Sequence, residues 1–124
     1  MTTMQTAPIF IRSVPPGTRW PSGRSLDTAV IAISAAEVKA ISGCPMKTGD
    51  EEGMGSWRAI GFQLSTGEHM ELIEYGNSSG DGFVLRVDAD QPLQRSFERF
   101  LHTFDLAEDA VLWRSPLCSP MLNL

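Results

Sequence analysis

The feature that most constrains this 124-residue chain is a pair of apolar segments joined by residues 65–67, Ser-Thr-Gly. Glycine at the third position of a three-residue loop suits the left-handed residue of a hairpin bulge. With that loop, Phe62 faces Met70 across the hairpin, and the alternating pleat extends the register in both directions. The same register pairs Ile60 with Leu72 and Arg58 with Glu74, so that apolar residues meet and opposite charges meet.

A third strand is predicted over Phe83 to Ala89, because its apolar residues alternate with polar ones. Keeping the apolar residues on one face pairs Leu72 with Leu85 and Met70 with Val87. Residues 57–88 are therefore predicted to form a three-stranded antiparallel meander. The connection Gly76–Asp81 allows two interpretations, a phosphate-binding loop or a flexible hairpin tip. It has no lysine and no helix directly behind it, which favours the hairpin tip.

The second face of this meander is graded in polarity. Gln63, His69 and Asp88 form one row, and Gly61, Glu71 and Arg86 form the next. The other end is apolar and aromatic, with Ala59, Ile73 and Val84 leading to Trp57 and Tyr75. Gly61 and Ala59 leave a shallow depression in the middle. A solvated sheet face rarely carries this many apolar side chains, so we expect another element or a partner to cover the apolar end.

His69 beside Asp88 suggests an acid–base pair, because a carboxylate can orient an imidazole, and Glu71 is a second candidate carboxylate. The simpler interpretation is a cross-strand charge pair. That interpretation is favoured, since the sequence places no serine or cysteine nucleophile next to His69.

Two helices are predicted. Ser34 followed by Glu37 forms a capping box, and Gly43 ends a short helix whose Val38 and Ile41 face inward. Pro92 suits the first turn of a longer helix. The apolar residues of that helix recur at helical spacing and predict one stripe that packs on the sheet: Leu93, Phe97, Phe100, Leu101 and Phe104.

Residues 44–56 are predicted to be a long mobile loop with three consecutive acids, Asp50, Glu51 and Glu52. Acids between glycines suggest a calcium loop as an alternative. The alternating ligands and the closing glutamate of an EF-hand are missing, so no metal site is predicted. Two histidines and two distant cysteines also provide too few ligands for a structural zinc site, and no cofactor motif is present.

The remaining segments belong to the single predicted domain, which spans residues 1–124. Residues 1–8 are expected to be frayed, and a proline- and glycine-rich arm with Arg12, Arg19 and Arg24 follows. The arm either folds over the domain in solvent or contacts an acidic partner or a sister subunit. Residues 117–124 form an apolar tail that needs cover.

Composition limits the classes of function. Fifteen acidic against ten basic residues give a net charge of −5, which disfavours nucleic acid as a partner. No apolar run is long enough to span a membrane, and no basic region precedes the first apolar segment as in a secretory signal. We therefore expect a cytoplasmic protein with reduced thiols at Cys44 and Cys118.

The predicted fold is α+β, an antiparallel sheet made of the meander and flanking strands, packed by one long and one short helix. Three functions remain open. The first is a small acidic inhibitor or immunity-type protein that binds a basic protein partner through Asp50, Glu51 and Glu52. This function gains support if these three acids converge on one surface with Glu68 and Asp81. The second is a homo-oligomeric small-molecule-binding domain that uses the Trp57 and Tyr75 end of the open face. The third is an enzyme with His69 and Asp88 as an acid–base pair.

Overall fold

The computed structural model describes residues 9–17, 20–53, 55–76 and 82–118. Within these ranges the chain is an α+β protein with seven strands in one open antiparallel sheet and two helices, and the predicted fold class is confirmed. The elements are β1 (Ile11–Val14), β2 (Ser25–Ile31), α1 (Ala35–Ser42), β3 (Lys47–Glu51), β4 (Gly55–Leu64), β5 (His69–Tyr75), β6 (Phe83–Asp88), α2 (Leu93–Thr103) and β7 (Val111–Arg114), with a short 3-10 turn at Glu108–Ala110 before β7.

The strands follow the order β1-β4-β5-β6-β2-β7, and β3 also pairs with β4. The long strand β4 has β5 on one side, whereas β3 and β1 share its other side. β3 pairs with the first half of β4, up to Lys47 opposite Ala59, and β1 pairs with the second half, beginning with Val14 opposite Gly61. Two separate segments therefore form one edge of the sheet.

The register between β4 and β5 is the predicted one: Phe62 lies opposite Met70, and Arg58 lies opposite Glu74. Gly67 has a φ of 108°, which glycine adopts without the steric cost that a side chain would carry. β6 also pairs with β5 as predicted, with Leu72 opposite Leu85. Of the predicted hairpin tip, residues 77–81 lie outside the described part of the chain.

The prediction of a long acidic loop over residues 44–56 is wrong. Lys47–Glu51 forms β3, which is hydrogen-bonded to the start of β4, and a tight turn follows at Glu52 and Gly53. The segment Lys-Thr-Gly-Asp-Glu has one β-branched residue and no apolar alternation, so it carries no strand pattern of its own. The segment becomes a strand because its backbone hydrogen-bonds to β4. With ten residues, β4 is long enough to pair with both β1 and β3 along the same edge.

Helix α1 begins and ends where the sequence predicts. The Ser34 hydroxyl accepts a hydrogen bond from the Glu37 amide at 3.1 Å, and Gly43 ends the helix with a φ of 66°. Val38 is buried as expected. The inward placement of Ile41 is wrong, because its side chain is 39% exposed. Two turns of helix bury only a narrow face, and Ile41 is three residues beyond Val38, to one side of that face.

Helix α2 carries the main apolar layer. Phe97, Phe100, Leu101 and Phe104 are buried in the core together with the inward residues of β4, β5 and β6. The rings of Phe62 and Phe104 lie 5.5 Å apart and those of Phe100 and Phe104 lie 4.6 Å apart, which anchors the helix on the sheet. Pro92 is the N-cap and not the first helical residue, so the helix starts one position later than predicted.

Both cysteines, Cys44 and Cys118, are free and lie within the apolar core. No helix among the described residues is long and apolar enough to cross a membrane. The expectations for residues 1–8 and for the last six residues of the tail, 119–124, fall outside the described ranges.

Candidate functional site

The charged end of the open sheet face is covered by the part of the proline- and glycine-rich arm that follows β1, of which the structure describes residues 15–17 and 20–24. The Gly17 amide donates a hydrogen bond to Glu71 Oε2 at 2.9 Å. The amide and the hydroxyl of Ser22 both reach Asp88 Oδ1, at 2.9 and 3.0 Å. Trp20 lies edge-on against His69, with ring centroids 4.8 Å apart. The three candidate acid–base residues of the sequence are thus brought together, and each of them contacts the arm.

The depression at Gly61 is filled by the same arm. A Cβ at this position would meet the carbonyl oxygen of Val14 and would lie 3.1 Å from the Pro16 nitrogen. Glycine is therefore required here because the backbone of β1 and the arm pass directly over β4. The sequence predicted the depression but not its occupant.

Glu71 and Asp88 are almost fully buried, with exposures of 6% and 2%. Besides the contacts from Ser22, Asp88 accepts a hydrogen bond on Oδ2 from the Asp90 amide at 3.2 Å. Buried carboxylates need such partners, and the arm and the following turn supply them. The carboxylate oxygens that could have oriented His69 are thus used to hold the backbone.

Burial lowers the pKa of His69 below its usual value of 6.5. The carboxylates of Asp88 and Glu71 act in the opposite direction and Arg12 in the same direction, but the cost of charging a desolvated imidazole outweighs the carboxylates. His69 is therefore a neutral ring packed beneath Trp20 at neutral pH.

The aromatic end of the open face is covered by its own side chains. Tyr75 donates a hydrogen bond to Glu51 Oε2 at 3.1 Å. The Arg86 guanidinium lies 5.9 Å from the Tyr75 ring centroid and donates to the Tyr75 hydroxyl at 3.5 Å. Arg86 and Tyr75 flank the buried Ile73 on this face, so their contact closes over it. Trp57 lies across Gly49, where a Cβ would meet the indole at 2.5 Å.

Arg86 joins three strands of this face. It donates to Asp27 at 2.9 Å and lies 3.6 Å from Glu71. Burial acts to lower the pKa of Arg86, but hydrogen bonds to Tyr75 and Asp27 outweigh it, so the pKa is raised above its usual value. The guanidinium stays charged and links β2, β5 and β6.

The predicted binding acids lie together on the exposed hairpin of β3 and β4. Side chains alternate along β3, so Asp50 and Glu51 point to opposite faces, and Glu52 occupies the turn. Glu68 does not join them: it pairs with Arg99 at the other end of β4. Burial acts against the charged form of Glu68, but hydrogen bonds from Thr66 and Arg99 outweigh it and lower its pKa. Asp81 lies outside the described residues.

A cleft of about 470 Å³ lies beside Asp50 on the helix-bearing face of the sheet. Arg58 and Glu74 form an ion pair of 2.6 Å in its wall, and the Arg58 guanidinium lies 5.9 Å from the Phe83 ring centroid. The cleft is polar and open, and its lining comes from both strands of the acidic hairpin and from β5: Thr48, Gly49, Asp50, Ser56, Trp57, Arg58, Glu74 and Gly76. The cleft could not be predicted from the sequence, because it depends on β3.

A second surface was also missed. Leu112 and Trp113 on β7 are 51% and 47% exposed. The pairing of β7 with β2 shifts by one residue between Val30 and Ile31, so Leu112 is an extra residue, as in a β-bulge. The bulge allows two consecutive apolar side chains to face solvent, and an alternating pattern predicts only one.

Among residues 9–17, 20–53, 55–76 and 82–118, no group of three histidine, cysteine, aspartate or glutamate side chains is placed to hold a metal ion. The geometry defines an α+β protein with one open antiparallel sheet, whose second face is closed partly by a backbone arm and partly by a Tyr–Arg contact. The chain matches no protein-family model, and no curated protein or solved structure matches it either.

Proposed function

We propose that this chain is a small acidic protein of the inhibitor or immunity type, and that it binds a basic protein partner in the cytoplasm. The observation that carries the proposal is the position of Asp50, Glu51 and Glu52 on one exposed edge hairpin. Three consecutive acids on an exposed hairpin attract a basic surface over about one Debye length, roughly 8 Å at physiological salt, and such steering raises association rates.

Side chains alternate along β3, and this supports binding of a partner to both faces of the hairpin. Asp50 borders the polar cleft on one face, and Glu51 lies beside Tyr75 on the other. A partner that contacts both faces of the hairpin meets a carboxylate on each face of the sheet. A lysine or arginine side chain that enters the cleft is held by Asp50 and Glu74, while Arg58 restricts which groups fit.

The test compares two triple variants of the full chain. In the first, Asp50→Asn, Glu51→Gln and Glu52→Gln remove the acidic edge. In the control, Glu37→Gln, Asp90→Asn and Asp105→Asn remove the same charge from exposed acids elsewhere. The wild type and both variants are immobilised as bait and incubated with lysate of the cells in which the protein occurs naturally. Captured proteins are quantified by mass spectrometry, and the best candidate is purified for calorimetry.

We expect a basic protein that the wild type and the control capture and that the hairpin variant loses, with affinity that falls as salt rises. If both triple variants capture the same proteins with equal affinity, the acidic edge is not the binding surface.

Small-molecule binding by a homo-oligomer is a second candidate function, and the 470 Å³ cleft is the observation that favours it. In this candidate function the ligand binds in the cleft on the helix-bearing face of the β3–β4 hairpin. The sequence-based hypothesis instead placed the ligand at the Trp57 and Tyr75 end of the open face. A ligand screen by thermal shift tests it, with Arg58→Ala expected to abolish the shift of any true ligand. The enzyme hypothesis has the weakest support, since His69, Glu71 and Asp88 all serve to hold the arm.

A further inference from the structure

The cleft beside Asp50 owes its shape to two rows of side chains that cross β3, β4 and β5 on the helix-bearing face. The first row is a wall of longer side chains: Thr48, Arg58 and Glu74. In the second row Asp50 lies opposite Ser56, and the Gly76 amide donates to the Ser56 backbone oxygen at 2.6 Å. Because Ser56 and Gly76 are small, the space above them stays open next to the wall.

The floor of the cleft carries a hydroxyl group. A Cβ at Gly76 would lie 2.5 Å from the Ser56 hydroxyl oxygen, so this hydroxyl occupies the place of a side chain at position 76. The Ser56 side chain thus extends toward β5, in the direction of Glu74, and its oxygen lies between the carboxylates of β3 and β5.

Three groups that line the cleft have acceptor capacity that no described residue uses. The Asp50 carboxylate and the Ser56 hydroxyl make no hydrogen bond within the described part of the chain. Arg58 approaches Glu74 with two nitrogens, but both reach the same oxygen, Oε1, at 2.7 and 2.6 Å. Glu74 Oε2 is therefore unpaired among the described residues, although the Glu74 side chain is only 14% exposed.

Glu74 Oε2 is also accessible from outside the protein. Among the described residues, no fully buried side-chain oxygen lacks a hydrogen-bond partner, so an unpaired Oε2 must be open to solvent. Neighbouring strands are about 4.8 Å apart, which puts the backbones of β3 and β5 roughly 10 Å apart across β4. The side chains of Asp50 and Glu74 are long enough to contact one small group held above Ser56.

The charge of the cleft selects a cation. Two carboxylates, Asp50 and Glu74, face one guanidinium, Arg58, which leaves one negative charge without a counter-charge in the lining. A ligand with one positive charge compensates it, and its donors can satisfy the free acceptors.

A primary ammonium suits these acceptors better than a guanidinium does. An ammonium is compact and has three donors that point in different directions, whereas a guanidinium holds its donors in one plane and binds best to both oxygens of one carboxylate. The free acceptors lie on three strands, with Asp50 on β3, Ser56 on β4 and Glu74 on β5. Glu74 offers only one oxygen, because Arg58 uses the other.

We propose that the cleft is a lysine pocket, in which the ε-ammonium of a lysine on the partner's surface donates to Asp50, Ser56 and Glu74 Oε2. Lysine is preferred to arginine at this site. The inference rests on the proposed function, since it names the side chain by which the basic partner is recognised. Arg58 is a positioning residue, because its ion pair holds the Glu74 carboxylate in the wall.

Two peptides that differ at one residue test the proposal: acetyl-Gly-Gly-Lys-Gly-Gly-amide and the same peptide with arginine in the centre. Each is titrated to about 50 mM into the isotope-labelled full chain, and the amide shifts of Ser56 and Gly76 are followed by NMR. We expect the lysine peptide to bind with a dissociation constant in roughly the millimolar range, and the arginine peptide to bind about fivefold more weakly. A peptide with uncharged norleucine in the centre is expected not to bind.

Three variants of exposed residues locate the binding and are expected to keep the wild-type thermal melt. Asp50→Asn is expected to raise the dissociation constant of the lysine peptide about fivefold, and Ser56→Ala about threefold. Glu52→Gln is the matched control, because it removes the same charge from the turn of the same hairpin but does not line the cleft. It is expected to change the constant less than about twofold, since it acts only over a distance.

Equal binding of the lysine and arginine peptides would overturn the proposal, as would a lysine peptide that shows no saturable binding. Equal losses in Asp50→Asn and Glu52→Gln would also overturn it, because the attraction would then belong to the overall charge of the hairpin.

The capture experiment separates this inference from the proposed function. A partner that the hairpin triple variant loses, combined with a lysine peptide that does not bind, would keep the proposed function and overturn the lysine pocket. A lysine peptide that binds the cleft when no basic partner is captured would support the ammonium site and count against the proposed function.

Discussion

Trp20 packs edge-on against His69 with ring centroids 4.8 Å apart, which joins the arm to the first residue of β5. Trp20→Ala is expected to lower the free energy of unfolding by about 2 kcal/mol, because a half-buried aromatic contact is lost. Urea denaturation measures the change. Phe10→Ala is the control, since its exposed ring is expected to contribute less than about 0.5 kcal/mol. Equal losses in both variants would mean that the arm is not held by Trp20.

The lowered pKa of His69 predicts how stability depends on pH. The unfolded chain binds a proton on this histidine near pH 6.5, and the folded chain binds it only at a lower pH. As pH falls from 8, the unfolded state is protonated first, so the free energy of unfolding decreases from about pH 6.5 until the folded-state pKa is passed.

His69→Gln is expected to remove most of that slope in urea titrations between about pH 8 and pH 5. His102→Gln is the control, because His102 is exposed on α2. A slope that persists in His69→Gln and disappears in His102→Gln would contradict the assignment.

Gly61→Ala is expected to displace the arm, because the new methyl group collides with the backbone at Val14 and Pro16. The expected loss is about 2 kcal/mol, typical of overpacking against backbone. The amides of Gly17, Trp20 and Ser22 should exchange faster than those of β2. The double variant Gly61→Ala, Trp20→Ala should lose less than the sum of the single losses, since the arm is released once. Strict additivity would show that the two residues do not act through the same segment.

Gly67→Val is expected to cost about 2 kcal/mol, because a β-branched residue resists a φ of 108°. Apart from its two neighbours in the chain, no atom lies within 4 Å of the added Cβ, so the cost comes from backbone conformation and not from a clash. Gly67→Asn should cost less, as asparagine tolerates positive φ better. Thermal unfolding distinguishes the two variants, and equal stability of Gly67→Val and wild type would be inconsistent with this turn.

The strands and helices that could be predicted from the sequence are those whose apolar residues recur with the spacing of a strand or of a helix. The hairpin around Gly67 has one register that matches apolar with apolar, and the phenylalanines of α2 recur at helical spacing. β3 could not be predicted, because Lys47–Glu51 becomes a strand only by pairing with β4. The bulge at Leu112 also has no local pattern, and it determines which residues of β7 are exposed.

The candidate site was likewise predictable only in part from the sequence. The sequence placed His69, Glu71 and Asp88 on one face, because alternation along paired strands requires it. It could not show what lies over them, because the contact between Gly17 and Glu71 joins residues separated by 54 positions. A proline- and glycine-rich segment has no periodicity that specifies where it packs.

The shared edge of β4 has a consequence for how this protein can vary. β3 and β1 each occupy half of that edge, and they meet near Ala59 and Gly61. The arm depends on the half next to β1, and the acidic hairpin is the other half. Either half can therefore be lengthened, shortened or replaced while the second keeps its pairing. Changes to the acidic hairpin are therefore separable from the contacts of the arm that close the other half of the sheet.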